Sequence, residues 1–280
     1  MSGEAIVLLL ADNMAAEPRM ETEHGLSFWV AVDGKNILFD TGQGTALPGN
    51  AASLGIDLRR IDAIALSHGH YDHTGGLEHV FERSPVPAIY MHPEATVMRY
   101  GCLQALPHKA IGMRNDIAAA LTARRASIVF TTKPTQITDH VWVTGPIPRM
   151  TPFEDTGGSF FVDADCRVKD LIPDDQAMWI GAVKGIVVLL GCAHSGVVNT
   201  LDYIAKLTGA SRFHAVIGGM HLLNASTDRL AATSEALKRY QARLIVPCHC
   251  TGESAISLLR SRFPGECVKG GAGARFSFPL

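Results

Sequence analysis

The sequence predicts an α+β fold with a β-rich sandwich at its centre. Short apolar runs bounded by turn residues indicate strands, and the 27 glycines and 14 prolines suit many tight turns. Amphipathic segments between the runs indicate helices. Four apolar strands each end in a loop that carries a histidine, namely His68, His194, His221 and His249. Because loops at one rim of a sheet converge, we expect these side chains to meet at one site.

In the first half of the chain, apolar runs separated by polar turns predict a hairpin and further strands. The Asp33-Gly34 dipeptide is typical of a two-residue hairpin turn. The predicted elements are strands at 6–10, 26–32, 36–39, 61–66 and 87–91 and a helix at 50–56. The strand at 61–66 runs into SHGHYDHTGGL, where Thr74 is the candidate N-cap of the next helix.

The second half of the chain repeats this pattern of apolar strands that end in histidine loops. Strands are predicted at 176–182, 185–190, 213–217, 244–246 and 274–278. Helices are predicted from about 199 to 206, at 228–240 and at 252–263. Asn199 or Thr200 is the expected N-cap of the first of these helices.

The segment after the strand at 61–66 carries four ligand-type side chains within six residues: His68, His70, Asp72 and His73. Without a cation, three imidazoles and a carboxylate on one loop would desolvate one another and gather like charge as the pH falls. The first two can point one way and the last two the other, so the loop can serve two metals. A histidine-rich surface loop without a role is the alternative. Imidazoles with few carboxylates favour zinc, iron or manganese over magnesium or calcium.

The motif SHGHYDH resembles the H-x-H-x-D-H signature of the metallo-β-lactamase superfamily. More narrowly, EHGLS, LGIDL, GCAHSGVVNTL, GGMHLL and PCHCTG resemble a subgroup of metal-dependent hydrolases related to 7,8-dihydropterin-6-methyl-4-(β-D-ribofuranosyl)aminobenzene-5′-phosphate synthase. These motifs extend along the whole chain. The resemblance implies an αββα sandwich formed by one domain over residues 1–280. It also implies an insertion at about 96–175, between the second and third metal motifs, that caps the active site.

The resemblance further implies two divalent metal ions, with zinc as the first expectation and iron or manganese as alternatives. The implied ligands are His68, His70 and His194 for one ion and Asp72, His73 and His249 for the other. Asp40, in FDTG, is expected behind a metal-binding histidine, where its carboxylate would hold the second N–H of the imidazole. A plain turn residue is the alternative for Asp40.

The sequence departs from the family pattern at the acidic residue that bridges the two metals in many members. GGMH offers His221 at about that place instead. Either His221 replaces the carboxylate, or it contacts the substrate, or hydroxide alone forms the bridge. Cys192, Cys248 and Cys250 lie near the histidine motifs and are interpreted as packing residues, since neighbours of an inward residue on a strand point away.

The charge of such a site favours an anionic substrate. Two divalent ions, reduced by the carboxylate of Asp72 and one hydroxide, leave two positive charges, one more than a bridging carboxylate would leave. Asp72 is expected to hold the nucleophile, and His221, or else His24, to donate a proton to the leaving group. The candidate substrate contacts are Lys109, Arg114 and Arg149, for which a solvated surface face is the alternative.

The preferred function is a dinuclear metallohydrolase in which metal-bound hydroxide attacks a small anionic ester or phosphodiester. The alternative is a transferase that condenses a pterin, with the metals as Lewis acids, as in methanopterin assembly. A non-catalytic or redox binding module is less favoured because every expected ligand except the bridging acid is present.

Composition limits the partners and the compartment. A formal net charge of −2 gives no argument for nucleic acid or membrane as a partner, and a homo-oligomer is left open. No apolar stretch reaches the length of a membrane span, and the N-terminus lacks a basic region typical of a secretion signal. Six scattered cysteines show no disulfide-scaffold pattern. A reducing cytoplasm is therefore the expected location.

Overall fold

The computed structural model describes residues 3–83, 87–102 and 108–280. The strands are β1 (Glu4–Ala11), β2 (Ser27–Val32), β3 (Lys35–Phe39), β4 (Ala63–Ala65), β5 (Ala88–Met91), β6 (Tyr100–Gly101), β7 (Lys109–Ala110), β8 (Ile128–Phe130), β9 (Thr135–Gln136), β10 (Val141–Val143), β11 (Phe160–Phe161), β12 (Met178–Ala182), β13 (Gly185–Leu190), β14 (Phe213–Gly219), β15 (Leu244–Cys248) and β16 (Arg275–Pro279). The α-helices are α1 (Leu47–Ser53), α2 (Tyr71–Thr74), α3 (Leu77–Arg83), α4 (Asn115–Ala123), α5 (Val197–Thr208), α6 (Thr227–Arg239) and α7 (Glu253–Arg262). Among the residues described, no helix combines the length and the apolarity that crossing a bilayer requires.

Two large sheets carry the fold. Their strand orders are β16-β1-β2-β3-β4-β5-β8 and β15-β14-β13-β12-β10-β9, and a small third sheet has the order β11-β6-β7. Strands β3, β4, β5 and β8 run parallel, as do β13, β14 and β15. Parallel neighbours end at the same edge of a sheet, so the loops that follow these strands gather at one rim.

The two large sheets pack face to face, and helices cover their outer faces. Along β2, Phe28 and Val30 point into the core between the sheets, whereas Trp29 faces α1, α3 and α4. Along β13, Val187 enters the same central core, while Val188 packs under α5, α6 and α7. This period-two alternation buries both faces of each sheet. The predicted α+β αββα sandwich is therefore confirmed.

Two predicted helix starts are wrong: a distant carboxylate caps α5, and Thr74 lies at the end of α2. Helix α5 begins at Val197, so Asn199 lies inside its first turn, and the carboxylate of Glu154 accepts the backbone N–H groups of Val198 and Asn199. Thr74 ends α2 rather than capping the next helix, and its hydroxyl donates to the carbonyl of His70. The histidine motif itself is thus partly helical.

The segment 96–175, predicted as an insertion, is divided between the sandwich and a small separate sheet. Strands β8, β9 and β10 extend the two large sheets, whereas β6, β7 and β11 form the third sheet. Residues 103–107 of the predicted cap lie outside the described residues. A disulfide joins Cys102, after β6, to Cys166, after β11. The spacing of the cysteines in the sequence had given no indication of this bridge.

Candidate metal centre

The rim where the parallel strands end brings the six predicted metal ligands together. His68 and His70 follow β4, Asp72 and His73 lie on α2, and His194 and His249 follow β13 and β15. All six residues are at least 92% buried, since the most exposed, His249, keeps 8% of its surface. Such dense burial of imidazoles requires partners for their ring nitrogens.

His68, His70 and His194 form the first cluster. Nε2 of His68 lies 2.9 Å from Nδ1 of His70, and the His194 ring centroid lies 4.7 Å and 4.9 Å from those of His68 and His70. The Nε2 atoms of His70 and His194 are buried without a hydrogen-bond partner. A cation between Nε2 of His68, Nδ1 of His70 and Nε2 of His194 would satisfy the unpartnered lone pair of His194.

Asp72, His73 and His249 form the second cluster, and the structure adds His24 to it. Nε2 of His249 lies 3.3 Å from Nε2 of His73 and 3.4 Å from Oδ2 of Asp72. Nε2 of His24 lies 3.2 Å from the same carboxylate oxygen. Two donors on one tetrahedral ion with bonds of about 2.0–2.1 Å are about 3.3 Å apart, so these spacings suit a shared cation.

Buried hydrogen-bond partners hold the Nδ1 atoms of His68, His73 and His194. Oδ2 of Asp40 lies 2.7 Å from Nδ1 of His73 and accepts the hydroxyl of Ser67 at 2.6 Å. The oxygen of that hydroxyl lies 2.8 Å from Nδ1 of His68. Nδ1 of His194 lies 2.8 Å from the carbonyl oxygen of Thr156. With their δ-nitrogens engaged, these imidazoles turn Nε2 toward the centre of the cluster.

Asn13, which was not among the residues predicted from the sequence, supports the second cluster. Its Oδ1 lies 2.8 Å from Nδ1 of His249, and its Nδ2 lies 3.3 Å from Nδ1 of His24. The backbone N–H of His249 donates to the neighbouring Asp12. The polar Asp12-Asn13 pair directly after an apolar strand was the available signal, because loops at strand ends carry functional groups.

Four strand exits at this rim have strained backbone. Asp40, Ala193, His221 and His249 adopt φ values of 57°, 54°, 46° and 52°. A left-handed conformation at a residue other than glycine is costly and concentrates at functional sites. At each of these positions the turn directs side chains into the histidine cluster instead of continuing the strand.

The electrostatics of the first cluster and of Asp72 favour the protonation states that bind cations. Burial lowers the pKa of His70 to about 3 and holds the pKa of His68 and His194 well below the ordinary value. Burial alone would raise the pKa of Asp72, but its imidazole neighbours hold it well below its usual range. Neutral imidazoles and an ionised carboxylate are the forms that coordinate metals. Burial alone would lower the pKa of His249, but Cys250 and Asp72 raise it to about 9, so a cation that binds there displaces a proton. The residues present therefore fit a pair of divalent cations.

Cys192 and Cys250 face this site, so their predicted packing role is wrong. Sγ of Cys192 lies 3.1 Å from Nε2 of His73. Cys192, His221 and Cys250 also place their ligand atoms within 4.8 Å of one another. Both positions follow the end of a strand, where the alternation of side chains no longer applies. Cys248 does lie in the core between the sheets, and its predicted packing role is confirmed.

His221 borders the first cluster. Its ring centroid lies 4.5 Å from that of His194, and its Nδ1 is buried without a hydrogen-bond partner. The Phe160 ring packs against the rings of His70, His194 and His221, with centroid distances of 5.3, 5.3 and 5.9 Å. Phe160 therefore forms an aromatic wall beside the first cluster.

The three basic residues predicted to contact substrate differ in their surroundings. Arg149 donates to the carbonyls of Leu171 and His194, so its side chain stabilises the loop that carries His194. Arg114 is paired with the carboxylates of Glu78 and Asp116. Lys109, in contrast, donates to the hydroxyl of Tyr71.

Comparison with known proteins identifies the family. A model of the metallo-beta-lactamase superfamily matches residues 21–158. The solved structure of Tm1679, a metal-dependent hydrolase of the beta-lactamase superfamily, has a TM-score of 0.81 and 31% sequence identity, covering 97% of this chain and 98% of that chain. The chain belongs to the metallo-beta-lactamase superfamily. The predicted family is thus confirmed, and membership indicates an enzyme.

Two curated proteins of Methanocaldococcus jannaschii are similar in sequence to this chain over nearly its whole length. The uncharacterized protein MJ0448 is 32% identical, covering 91% of this chain and 93% of its own length. The 7,8-dihydropterin-6-methyl-4-(beta-D-ribofuranosyl)-aminobenzene-5′-phosphate synthase is 29% identical, covering 92% of this chain and 90% of its own length.

The contact between Asp40 and His73 gives a first prediction. We expect Asp40→Asn to weaken zinc binding by about 10–100-fold, because the amide removes the charge that holds the imidazole N–H. Competition with a chromophoric chelator measures this change. Asp33→Asn is the matched control, since Asp33 holds the half-exposed His140 at the same 2.7 Å. Equal zinc affinity in the two variants would contradict a supporting role for Asp40.

Proposed function

We propose that the protein is a dinuclear metal-dependent hydrolase of small anionic esters or phosphodiesters. The observation that carries the proposal is the pair of adjoining clusters, each with several ligand atoms turned inward. One contains Nε2 of His68, Nδ1 of His70 and the unpartnered Nε2 of His194, and the other gathers His73 and His249 around Asp72. When two divalent cations are bound there, they supply an activated water and stabilise negative charge on the reacting oxygens.

The protein's own groups would orient the nucleophile and move the proton. Oδ2 of Asp72 lies 3.4 Å from Nε2 of His249 and 3.2 Å from Nε2 of the half-exposed His24, so Asp72 can orient a water at the site. Burial lowers the pKa of His24, so its ring is neutral and suited to accept a proton. His221, beside the first cluster, is the better candidate to deliver a proton to the leaving group.

An anionic substrate suits the surroundings of the site. Lys109 donates to the Tyr71 hydroxyl at 3.2 Å, and the Tyr71 ring centroid lies 6.3 Å from that of His24. A cationic ammonium near this side of the clusters would attract a phosphate or carboxylate group. Phe160 restricts the space beside His70 and His194, which supports a small substrate.

The second candidate is a pterin-condensing transferase, favoured by two observations. One relative of nearly equal length is named as a pterin-dependent synthase. The Phe160 ring also offers an aromatic face beside the first cluster, on which a planar heterocycle could stack.

The experiment compares substrates on protein loaded with zinc, manganese or iron. We expect turnover of an activated phosphodiester such as bis(p-nitrophenyl) phosphate to exceed turnover of the neutral ester p-nitrophenyl acetate. Metal-free protein is the control and should be inactive. Higher activity on the neutral ester than on every phosphorylated compound would overturn the anionic preference. Absence of all hydrolysis, with consumption of a dihydropterin in the presence of a ribosylated aminobenzene phosphate, would favour the transferase.

A further inference from the structure

The bridging position is the least explained part of the centre, since the sequence lacks the expected acidic residue there. Cys192 lies between the two clusters. Its sulfur and the ligand atoms of His68 and His194 lie within 4.8 Å of one another, and the same holds for its sulfur with those of His73 and His249. In the part of the chain that the structure describes, no other residue forms such ligand groups with both clusters.

We propose that the thiolate of Cys192 bridges the two cations in place of the missing carboxylate. The inference rests on the proposed dinuclear site. Metal–sulfur bonds of about 2.3 Å allow one sulfur to reach two ions up to about 4.6 Å apart. This range includes the separation of about 3.5–4 Å found in two-metal sites. A coordinating thiol is deprotonated by the ion it binds, so the bridge carries one negative charge.

The backbone explains why Cys192 and His194 both face the site. Strand β13 ends at Leu190, and Ala193 adopts the left-handed conformation with φ 54°. Residues two positions apart lie on the same face of an extended chain, so Cys192 and His194, on either side of Ala193, can both reach the site. Cys192 is 97% buried, so its sulfur is shielded from solvent and held against the histidines.

The other candidates for the bridge fit less well. His221 and Cys250 join Cys192 in one ligand group, but neither forms such a group with His73 or His249 among the described residues. His221 is therefore assigned to proton delivery or substrate contact. The sulfur of Cys250 lies 3.8 Å from the Cys192 carbonyl oxygen and forms no such group with His68 and His194 among the described residues.

A thiolate bridge changes the expected metal and charge. The site keeps one positive charge instead of two, as it would with a bridging carboxylate, and still attracts an anionic substrate. A thiolate is a soft ligand that suits zinc or iron better than manganese. Zinc should therefore bind more tightly than manganese, at equal pH and under reducing conditions.

Cobalt substitution of the full-length protein under reducing conditions tests the bridge without measuring activity. We expect two Co(II) ions per wild-type chain and a thiolate-to-cobalt charge-transfer band in the near ultraviolet. Cys192→Ser should lose the band and bind one ion at least about tenfold more weakly. Cys250→Ser is the matched control and should keep the charge-transfer band and the wild-type affinity for both ions. A band that persists in Cys192→Ser, or that disappears in Cys250→Ser, would overturn the proposal.

A second measurement needs no variant and distinguishes a bridge from a terminal ligand. X-ray absorption of the dizinc protein should show on average one sulfur per zinc for a bridging thiolate. Half that value, or none, would overturn the bridge. Two bound metals without sulfur coordination would refute the role of Cys192 and leave the proposed hydrolase intact. Failure of the wild type to bind two metals would refute both.

Discussion

Asp72→Asn should lower kcat/KM for the phosphodiester by about three orders of magnitude, the size expected when several kcal/mol of metal-derived stabilisation are lost. The Asp72 carboxylate faces Nε2 of His249 at 3.4 Å, Nε2 of His24 at 3.2 Å and Nε2 of His73 at 3.8 Å. The amide keeps the shape of the side chain but removes its charge. Metal content should fall from two ions to one, measured by elemental analysis after gel filtration.

The control for Asp72→Asn is Asp202→Asn, another aspartate-to-asparagine change. Asp202 lies on α5 and pairs with Arg239 and Tyr240 of the outer helical layer. This control should retain two metals and wild-type turnover. Wild-type activity in Asp72→Asn, with two metals still bound, would rule out the proposed role of this carboxylate.

Arg99→Ala should destabilise the protein by about 3–5 kcal/mol, because it strands two buried carboxylates. The guanidinium donates to Asp170 at 2.7 Å and to Asp174 at 2.6 Å and 3.0 Å, and all three residues are at least 96% buried. Asp174 in turn accepts the backbone N–H of Gly69, between His68 and His70. The melting temperature should fall by roughly 6–15 °C in thermal scans of the metal-free protein.

The destabilisation by Arg99→Ala should shrink as the pH falls. Burial raises the pKa of Asp174, and Arg99 lowers it, so removing Arg99 raises it further. A carboxyl group whose pKa is higher in the folded state than in the unfolded state favours folding at low pH, and this advantage is lost as the pH rises through the folded-state pKa. Urea titrations at several pH values measure the trend. A constant difference between pH 5 and pH 8 would contradict it.

Arg114→Ala is the matched control, since Arg114 also contacts two carboxylates but its side chain is 44% exposed. Solvent screens such pairs, so the loss should stay below about 1 kcal/mol. Equal destabilisation by the two changes would mean that burial of the Arg99 network contributes little.

The sequence was sufficient for those parts of the centre that depend on local order. The motif at His68 to His73 and the strands before His194 and His249 predicted which side chains would meet, because parallel strands end at a common rim. The apolar run at 26–32 likewise predicted a strand, and in the structure its residues Phe28 and Trp29 face opposite cores, whereas the layered sandwich was implied by the family resemblance.

The remaining parts depend on tertiary contacts that local patterns do not encode. Asn13 is 236 residues from His249 along the chain, yet its side chain contacts the His249 ring. Cys192 contacts the ring of His73, which is 119 residues away along the chain. His24 lies on a loop whose direction is fixed by packing, so its contact with Asp72 was not expected. The segment 96–175 was predicted as one insertion, although β8, β9 and β10 complete the two large sheets.

Anomalous scattering at the metal edge, from crystals of the protein grown with zinc or manganese, tests whether the centre holds two ions. We expect two peaks about 3.5–4 Å apart. One should lie among His68, His70 and His194, and the other among Asp72, His73 and His249. A single peak, or metal bound away from these side chains, would contradict a dinuclear centre.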